Sequence, residues 1–212
     1  IVYIIGIIST SSIISSFSSI KSSLIINVVL VSFTVGISKF KVNSSTFNDT
    51  SRASILMDID NNRILYENNI HEKHLTASIA KIMTCIVAIE NGDLKKECIV
   101  NEETTQQVGS SIYLKLNDRI YLEDLLYGMM LRSGNDAAVL IAKNISGSIE
   151  SFVDLMNQKS LELGLTNTTF NNPSGLDEDK GNYSTSYDMA LLTSYAYKND
   201  IFKKIISTKK YK

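Results

Sequence analysis

Apolar and polar positions fall into blocks along the chain, and these blocks predict strands followed by helices. Residues 53–59 and 63–67 are rich in β-forming side chains, and Asp60-Asn61-Asn62 between them has turn chemistry, which predicts a β-hairpin. Helices are predicted over the apolar segments at 78–90, 122–131, 137–144, 152–163 and 186–198, the third of them capped by Asp136. Strands followed by a helical block, with no alternating βα pattern, indicate the α+β class.

The first 52 residues have a different pattern. Lys21 precedes an apolar run at 24–37, and about 14 such residues match the core of a signal peptide but fall short of a membrane-spanning helix. Ser38-Lys39-Phe40-Lys41 is a poor cleavage site, so an uncleaved membrane anchor is an alternative and a buried core helix is another. We assign 1–41 to a signal peptide or N-terminal membrane anchor region, and the polar residues 42–52 to a linker.

Length and composition indicate the size of the domain and the distribution of its charge. The 212 residues are 44% hydrophobic and 20% charged, which suits one domain with a substantial core. The net charge is −1, and residues 1–41 contain lysines but no acid, so the remainder is mildly acidic. Without a basic stripe, the chain is not expected to bind nucleic acid.

Ser78-Ile79-Ala80-Lys81 is the first candidate for chemistry. A serine hydroxyl needs a base to become a nucleophile, and positions i and i+3 of a helix share one face. Four stretches match this spacing, beginning at Ser18, Ser38, Ser78 and Ser207, but only Ser78 opens a strongly apolar helix. Burial would lower the pKa of Lys81 toward that of a general base, whereas a lysine that reaches solvent would be merely structural.

Ser133-Gly134-Asn135 is the second candidate, in a turn between two predicted helices. Its serine could relay a proton and its asparagine amide could bind a peptide carbonyl. Taken alone, the triplet also fits a helix junction with a capping serine.

The remaining candidates predict neither a metal nor a cofactor. His71 and His74 lack a third ligand and are expected on a solvated loop. Glu162 is expected on a helix surface. Cys85 is expected to be a small core residue, and a disulfide with Cys98 is the less favoured alternative.

In combination, the ordered motifs resemble the serine penicillin-recognising proteins, and among them the D-alanyl-D-alanine carboxypeptidases of low molecular mass. The resemblance covers residues 53–212. The matching segments are Thr76-Ala77-Ser78-Ile79-Ala80-Lys81-Ile82-Met83-Thr84, Leu131-Arg132-Ser133-Gly134-Asn135-Asp136-Ala137-Ala138, Phe170-Asn171-Asn172-Pro173-Ser174-Gly175-Leu176 and Tyr183-Ser184-Thr185-Ser186-Tyr187-Asp188-Met189-Ala190.

The resemblance implies a β-lactamase/transpeptidase-like fold, with an antiparallel sheet flanked by helices and a helical subdomain. It implies Ser78 as nucleophile, Lys81 as base, Ser133 as proton relay and Asn135 as substrate-binding residue. The substrates implied are peptidoglycan stem peptides ending in D-alanyl-D-alanine, with β-lactams as acylating agents and an extracytoplasmic location.

One family motif, Lys-Thr-Gly or His-Thr-Gly, does not occur in residues 1–212. We therefore expect 53–212 to be a partial catalytic domain that lacks the C-terminal strands of its sheet and has little or no activity by itself. The alternatives are a β-lactamase-like hydrolase and a catalytically dead relative that binds the cell wall.

Overall fold

The computed structural model describes residues 3–8, 51–177 and 180–211. The chain forms two units, one from the residues up to 72 with 185–190 and the other from 73–184 with 191–212. The predicted signal-peptide core at 24–37, and the predicted linker except for Ser51 and Arg52, lie outside the described residues. No helix among the described residues is long and apolar enough to cross a membrane.

The first unit contains a three-stranded sheet, in the order β1 (Tyr3–Ile8), β2 (Ala53–Asp58) and β3 (Arg63–Asn68). Strands β2 and β3 pair antiparallel, which confirms the predicted hairpin, and Asn62 in its turn adopts a left-handed φ of 55°. Strand β1 pairs parallel to β2 and was not predicted, although its isoleucine-rich sequence suits a strand.

The second unit is mostly helical. Its elements are β4 (His74–Leu75), a 3₁₀ turn (Ala77–Ala80), α1 (Lys81–Asn91), β5 (Glu97–Ile99), α2 (Glu102–Thr105), β6 (Arg119–Tyr121), α3 (Leu122–Arg132), α4 (Asn135–Ser146), α5 (Ile149–Glu162), β7 (Tyr183–Ser184), the second half of α6 (Ser186–Ala196) and α7 (Asp200–Ser207). Two short antiparallel pairs, β4 with β7 and β5 with β6, complete it.

Helix α4 lies at the centre of the second unit, in contact with α1, α3 and α5. Every residue from Asn135 to Ala142 is buried, because the sequence Ala-Ala-Val-Leu-Ile-Ala presents an apolar side chain on every face. This buried helix fixes the position of the Ser133-Gly134-Asn135 turn that leads into it.

The helix predicted from Ser78 is divided in the structure. Ser78 lies in the 3₁₀ turn, and the α-helix starts three residues later at Lys81. Thr76 makes no capping hydrogen bond and Ala77 has a left-handed φ of 47°, so the chain enters the helix through a tighter turn than a capped α-helix would have. Helix α7, capped by Asn199, was not predicted.

The observed order of strands and helices confirms the α+β class. The sheets are small, as expected for a part of the transpeptidase-like fold.

Candidate active site

The Ser78 hydroxyl and the Lys81 amine lie together at the start of α1. Lys81 Nζ donates a hydrogen bond to Ser78 Oγ at 3.3 Å, because one 3₁₀ turn places residues i and i+3 on the same side. The predicted proximity of these two groups is therefore present in the structure.

The Lys81 side chain is buried, with 3% of its surface exposed, and it has two further acceptors. Its Nζ donates to Asn135 Oδ1 at 2.8 Å and to the Ser174 carbonyl at 2.6 Å. Burial lowers the pKa of the Lys81 amine from 10.5 to about 8, partly offset by the negative charge of Asp136. A neutral amine has two N–H groups, so these two acceptors can hold both and leave its lone pair for Ser78.

Ser133 approaches Ser78 from the turn between α3 and α4. Its Oγ lies 3.0 Å from Ser78 Oγ, and its backbone has a left-handed φ of 58°. A non-glycine residue in this region costs about 1 kcal/mol or more, so the turn is held by its surroundings. Those surroundings include Asn135, whose N–H donates to the Ser110 carbonyl at 2.7 Å.

Asn135 is the first residue of α4 and points into the site. Its Oδ1 accepts from Lys81, and its Nδ2 donates to the Val108 carbonyl at 2.7 Å. A carboxamide has two N–H donors and two acceptor lone pairs, so donor and acceptor capacity remains for a substrate. Substrate binding by Asn135 stays a prediction.

Asp136 does not cap α4, contrary to our prediction. The helix already starts at Asn135 with Gly134 as its N-cap, so Asp136 lies two residues beyond the capping position. Its carboxylate instead accepts hydrogen bonds from the Ser111 hydroxyl at 2.6 Å and from the N–H groups of Ile112 and Leu114, both at 3.1 Å. These bonds fix the loop that runs past Ser133.

The loop at 172–176 contributes a group that the sequence did not reveal. Asn172 Oδ1 accepts from the N–H groups of Ser174 at 3.2 Å and Gly175 at 2.7 Å, and Thr84 Oγ1 donates to the Pro173 carbonyl at 2.7 Å. Together these bonds direct the Ser174 carbonyl at Lys81. Because the functional group is a backbone oxygen, only the Asn-Asn-Pro-Ser-Gly segment itself could have indicated it.

The other candidates have structural roles. His71 contacts the Tyr187 ring. His74 is buried in β4, where it pairs with Ser184 of β7. The prediction of a solvated loop is therefore wrong for His74. Glu162 pairs with Lys159 at 2.6 Å on the surface of α5. Both cysteines, Cys85 and Cys98, are free and buried. Within the described part of the chain, no three His, Cys, Asp or Glu side chains are grouped to hold a metal ion.

A serine hydroxyl that meets a buried lysine amine, on an α+β scaffold with a second serine 3.0 Å away, is the arrangement found in serine–lysine hydrolases. The sequence model of the D-alanyl-D-alanine carboxypeptidase family matches residues 40–212. The chain therefore belongs to this family.

Individual relatives agree with that assignment. The chain is 35% identical over 194 residues to the D-alanyl-D-alanine carboxypeptidase DacF of Bacillus subtilis, covering 88% of this chain and 50% of the relative. It is 40% identical over 153 residues to DacC of Escherichia coli, covering 67% of this chain and 38% of the relative. The chain thus spans half or less of the length of these curated relatives.

Solved structures show the same fold. Penicillin binding protein 6B from Escherichia coli superposes with a TM-score of 0.71 at 30% identity, covering 81% of this chain and 58% of that one. The D-alanyl-D-alanine carboxypeptidase from Mycobacterium tuberculosis has a TM-score of 0.71 at 29% identity, with 74% and 60% covered. The expected transpeptidase-like fold is confirmed.

Proposed function

We propose that the full-length protein is a serine-type D-alanyl-D-alanine carboxypeptidase that removes the terminal D-alanine from peptidoglycan stem peptides. The observation that carries this proposal is the contact between the Ser78 hydroxyl and the buried amine of Lys81, 3.3 Å apart, in a chain of this family. The same nucleophile would be acylated by β-lactams, whose strained amide resembles the end of the peptide.

Acylation begins when neutral Lys81 removes the proton from Ser78 Oγ. The oxygen attacks the penultimate D-alanine carbonyl, and the backbone N–H of Ser78 donates to the developing oxyanion. The Asn135 side chain, which also contacts Lys81, binds the backbone of the peptide. The two acceptors that hold the N–H groups of Lys81 orient its lone pair toward Ser78, which supports its role as base.

Collapse of the tetrahedral intermediate breaks the amide bond and releases D-alanine. Its nitrogen needs a proton, and Ser133 relays one from the protonated Lys81. The 3.0 Å contact between Ser133 Oγ and Ser78 Oγ supports this role, because it places the Ser133 hydroxyl beside the atom that is bonded to the carbonyl carbon. Water then attacks the ester on Ser78, giving the shortened peptide and restoring the free hydroxyl and the neutral amine. No metal or cofactor takes part in these steps.

Peptidoglycan lies outside the cytoplasmic membrane, so the proposed substrate requires export. Residues 1–41 supply a signal peptide or a membrane anchor, 42–52 a linker, and 53–212 the part of the catalytic domain that carries these residues. The protein is then secreted or held at the outer face of the membrane.

The test is release of D-alanine from an acylated peptide ending in D-alanyl-D-alanine by the full-length protein. The wild type is expected to release it, and Ser78→Ala to lose at least about 10³-fold in kcat/KM because the nucleophile is gone. Ser207→Ala is a matched control, since Ser207 opens another Ser-x-x-Lys stretch but is exposed, with its hydroxyl donating to the Lys204 carbonyl.

Equal loss in both variants, or equal activity of Ser78→Ala and wild type, would contradict the proposal. Absence of D-alanine release by the folded wild-type protein would also contradict it.

A further inference from the structure

A polar groove lies between the loop that precedes β6 and the C-terminal end of α3. It has a volume of about 430 Å3, and eight residues line it, among them Ser110, Ser111, Tyr113, Arg132 and Ser133. Ser133 Oγ lies 3.0 Å from Ser78 Oγ, so the groove adjoins the site at which a peptide would be attached to Ser78.

Arg132 is the one charged residue among the eight that line the groove. It is exposed, and within the described residues its guanidinium has no hydrogen bond or ion pair, whereas Arg119 on β6 pairs with Glu97 at 3.0 Å. A guanidinium presents donors in a planar fork that matches a carboxylate.

One wall of the groove, the loop at 111–114, is held in place by hydrogen bonds to Asp136. The buried Asp136 carboxylate accepts from the Ser111 hydroxyl and the N–H groups of Ile112 and Leu114, so its negative charge is already bound by donors. Tyr113, 80% exposed, adds an apolar ring at the rim. The charge available to a ligand in the groove is therefore positive.

We propose that this groove is a specificity subsite in which Arg132 binds a carboxylate on the acyl-donor part of the peptide. The leaving residue is always a D-alanine, so variable side chains lie on the donor side of the bond that breaks. This inference rests on the proposed function and adds a preference for acidic donor peptides to it.

The test compares two pairs of synthetic peptides ending in D-alanyl-D-alanine. In one pair the residue directly before this dipeptide is glutamate or glutamine, and in the other pair the next residue toward the N-terminus is varied in the same way. The measured quantity is the ratio of kcat/KM for the glutamate and glutamine peptides. The ratio is independent of how much of a preparation is folded, because both substrates meet the same enzyme.

The full-length wild-type protein is expected to prefer glutamate about 3- to 10-fold at one of the two positions, as an accessible arginine–carboxylate pair allows. Arg132→Gln is expected to bring that ratio to about one. Arg132→Lys should keep part of the preference, because the positive charge remains. Arg119→Gln, the matched control on β6, should leave the ratio unchanged.

Two results would overturn the inference. The wild type could cleave both members of each pair equally, or Arg132→Gln could keep the glutamate preference. If Arg132→Gln kept the preference while slowing both peptides equally, Arg132 would bind the terminal carboxylate or only stabilise the C-terminus of α3. In each case D-alanine is still released, so the proposed function stands, whereas no release from any peptide by the wild type would remove both.

Discussion

Lys81 makes its contacts with three oxygen atoms of different origin. A seryl hydroxyl, a side-chain amide and a backbone carbonyl surround its amine at 3.3, 2.8 and 2.6 Å. The two shorter bonds go to groups that cannot give up a proton, and the longest goes to the hydroxyl that can. The geometry thus separates the two groups that hold the amine from the hydroxyl that we propose reacts with it.

The pH dependence of acylation tests the state of this amine. With a pKa lowered to about 8, Lys81 is neutral above that pH and protonated below it. A base works only when neutral, so the rate of acylation by a β-lactam should level off above pH 8 and fall about tenfold for each unit below. Stopped-flow acylation rates between pH 6 and 10 measure this.

Lys81→Arg should lose about 10²- to 10⁴-fold of the acylation rate at every pH, because arginine stays protonated. Lys143→Arg on the surface of α4 is the control and should keep the wild-type profile. A flat wild-type profile from pH 6 to 10 would contradict Lys81 as the base.

At the scale of single residues, the sequence predicted the pairing of Ser78 with Lys81 but not every group around the amine. The i, i+3 spacing and the apolar helix were enough to bring Ser78 and Lys81 together and to bury the amine. The Ser174 carbonyl was not predictable, because a backbone oxygen carries no side-chain signal and it comes from 93 residues further along the chain.

Among the elements, the loop at 170–176 is held in place partly by the buried Asn182. Asn182 accepts from the N–H groups of Asn171 at 2.6 Å and Asn172 at 3.0 Å, and donates to the Asn172 carbonyl at 2.9 Å. Its own carbonyl accepts from Thr76 N–H at 2.9 Å. The segment before Ser78 and the loop that carries Ser174 are thereby tied to one residue.

At Gly175 the backbones of these two segments lie close together. Gly175 has a φ of +81°, and a side chain there would overlap the carbonyl group of Ala77 and lie 3.0 Å from the Ser78 nitrogen. Gly175→Ala should therefore lower the free energy of unfolding by on the order of 3 kcal/mol and slow acylation by displacing Ser78. Chemical denaturation and β-lactam acylation rates measure the two effects.

Gly147→Ala is the matched control. Gly147 has a similar φ of +84°, but a side chain there would meet nothing within 4 Å, so only backbone strain of about 1 kcal/mol is expected, with normal acylation. If the two variants lost the same stability and both acylated normally, the close approach at Gly175 would have no part in placing Ser78.

Element boundaries show where local rules apply and where they fail. The hairpin at 53–68 follows from β-forming residues around an Asp-Asn-Asn turn, and the helices from their apolar periodicity. The start of α4 was misplaced, because Asp136 serves a tertiary contact with the 111–114 loop that no local pattern contains. Strand β1 also depends on a distant partner, β2.

At the scale of the whole molecule, the three groups that contact Ser78 and Lys81, which are the Ser133 hydroxyl, the Asn135 amide and the Ser174 carbonyl, all belong to the helical second unit. The order of four short motifs was sufficient to predict the family. The same motifs could not predict the packing of the 172–176 loop, which depends on contacts between distant segments.

Mass spectrometry of the full-length protein after treatment with benzylpenicillin identifies the residue that is acylated, which we propose is Ser78. Trypsin cleaves after Lys73 and Lys81, which isolates residues 74–81 with Ser78 as their single serine, and cleavage after Arg132 and Lys143 isolates Ser133 in another peptide.

We expect one penicillin-derived adduct per chain, located on the 74–81 peptide and absent from Ser78→Ala. An adduct on the 133–143 peptide, an adduct that persists in Ser78→Ala, or a folded wild-type protein with no adduct would contradict it.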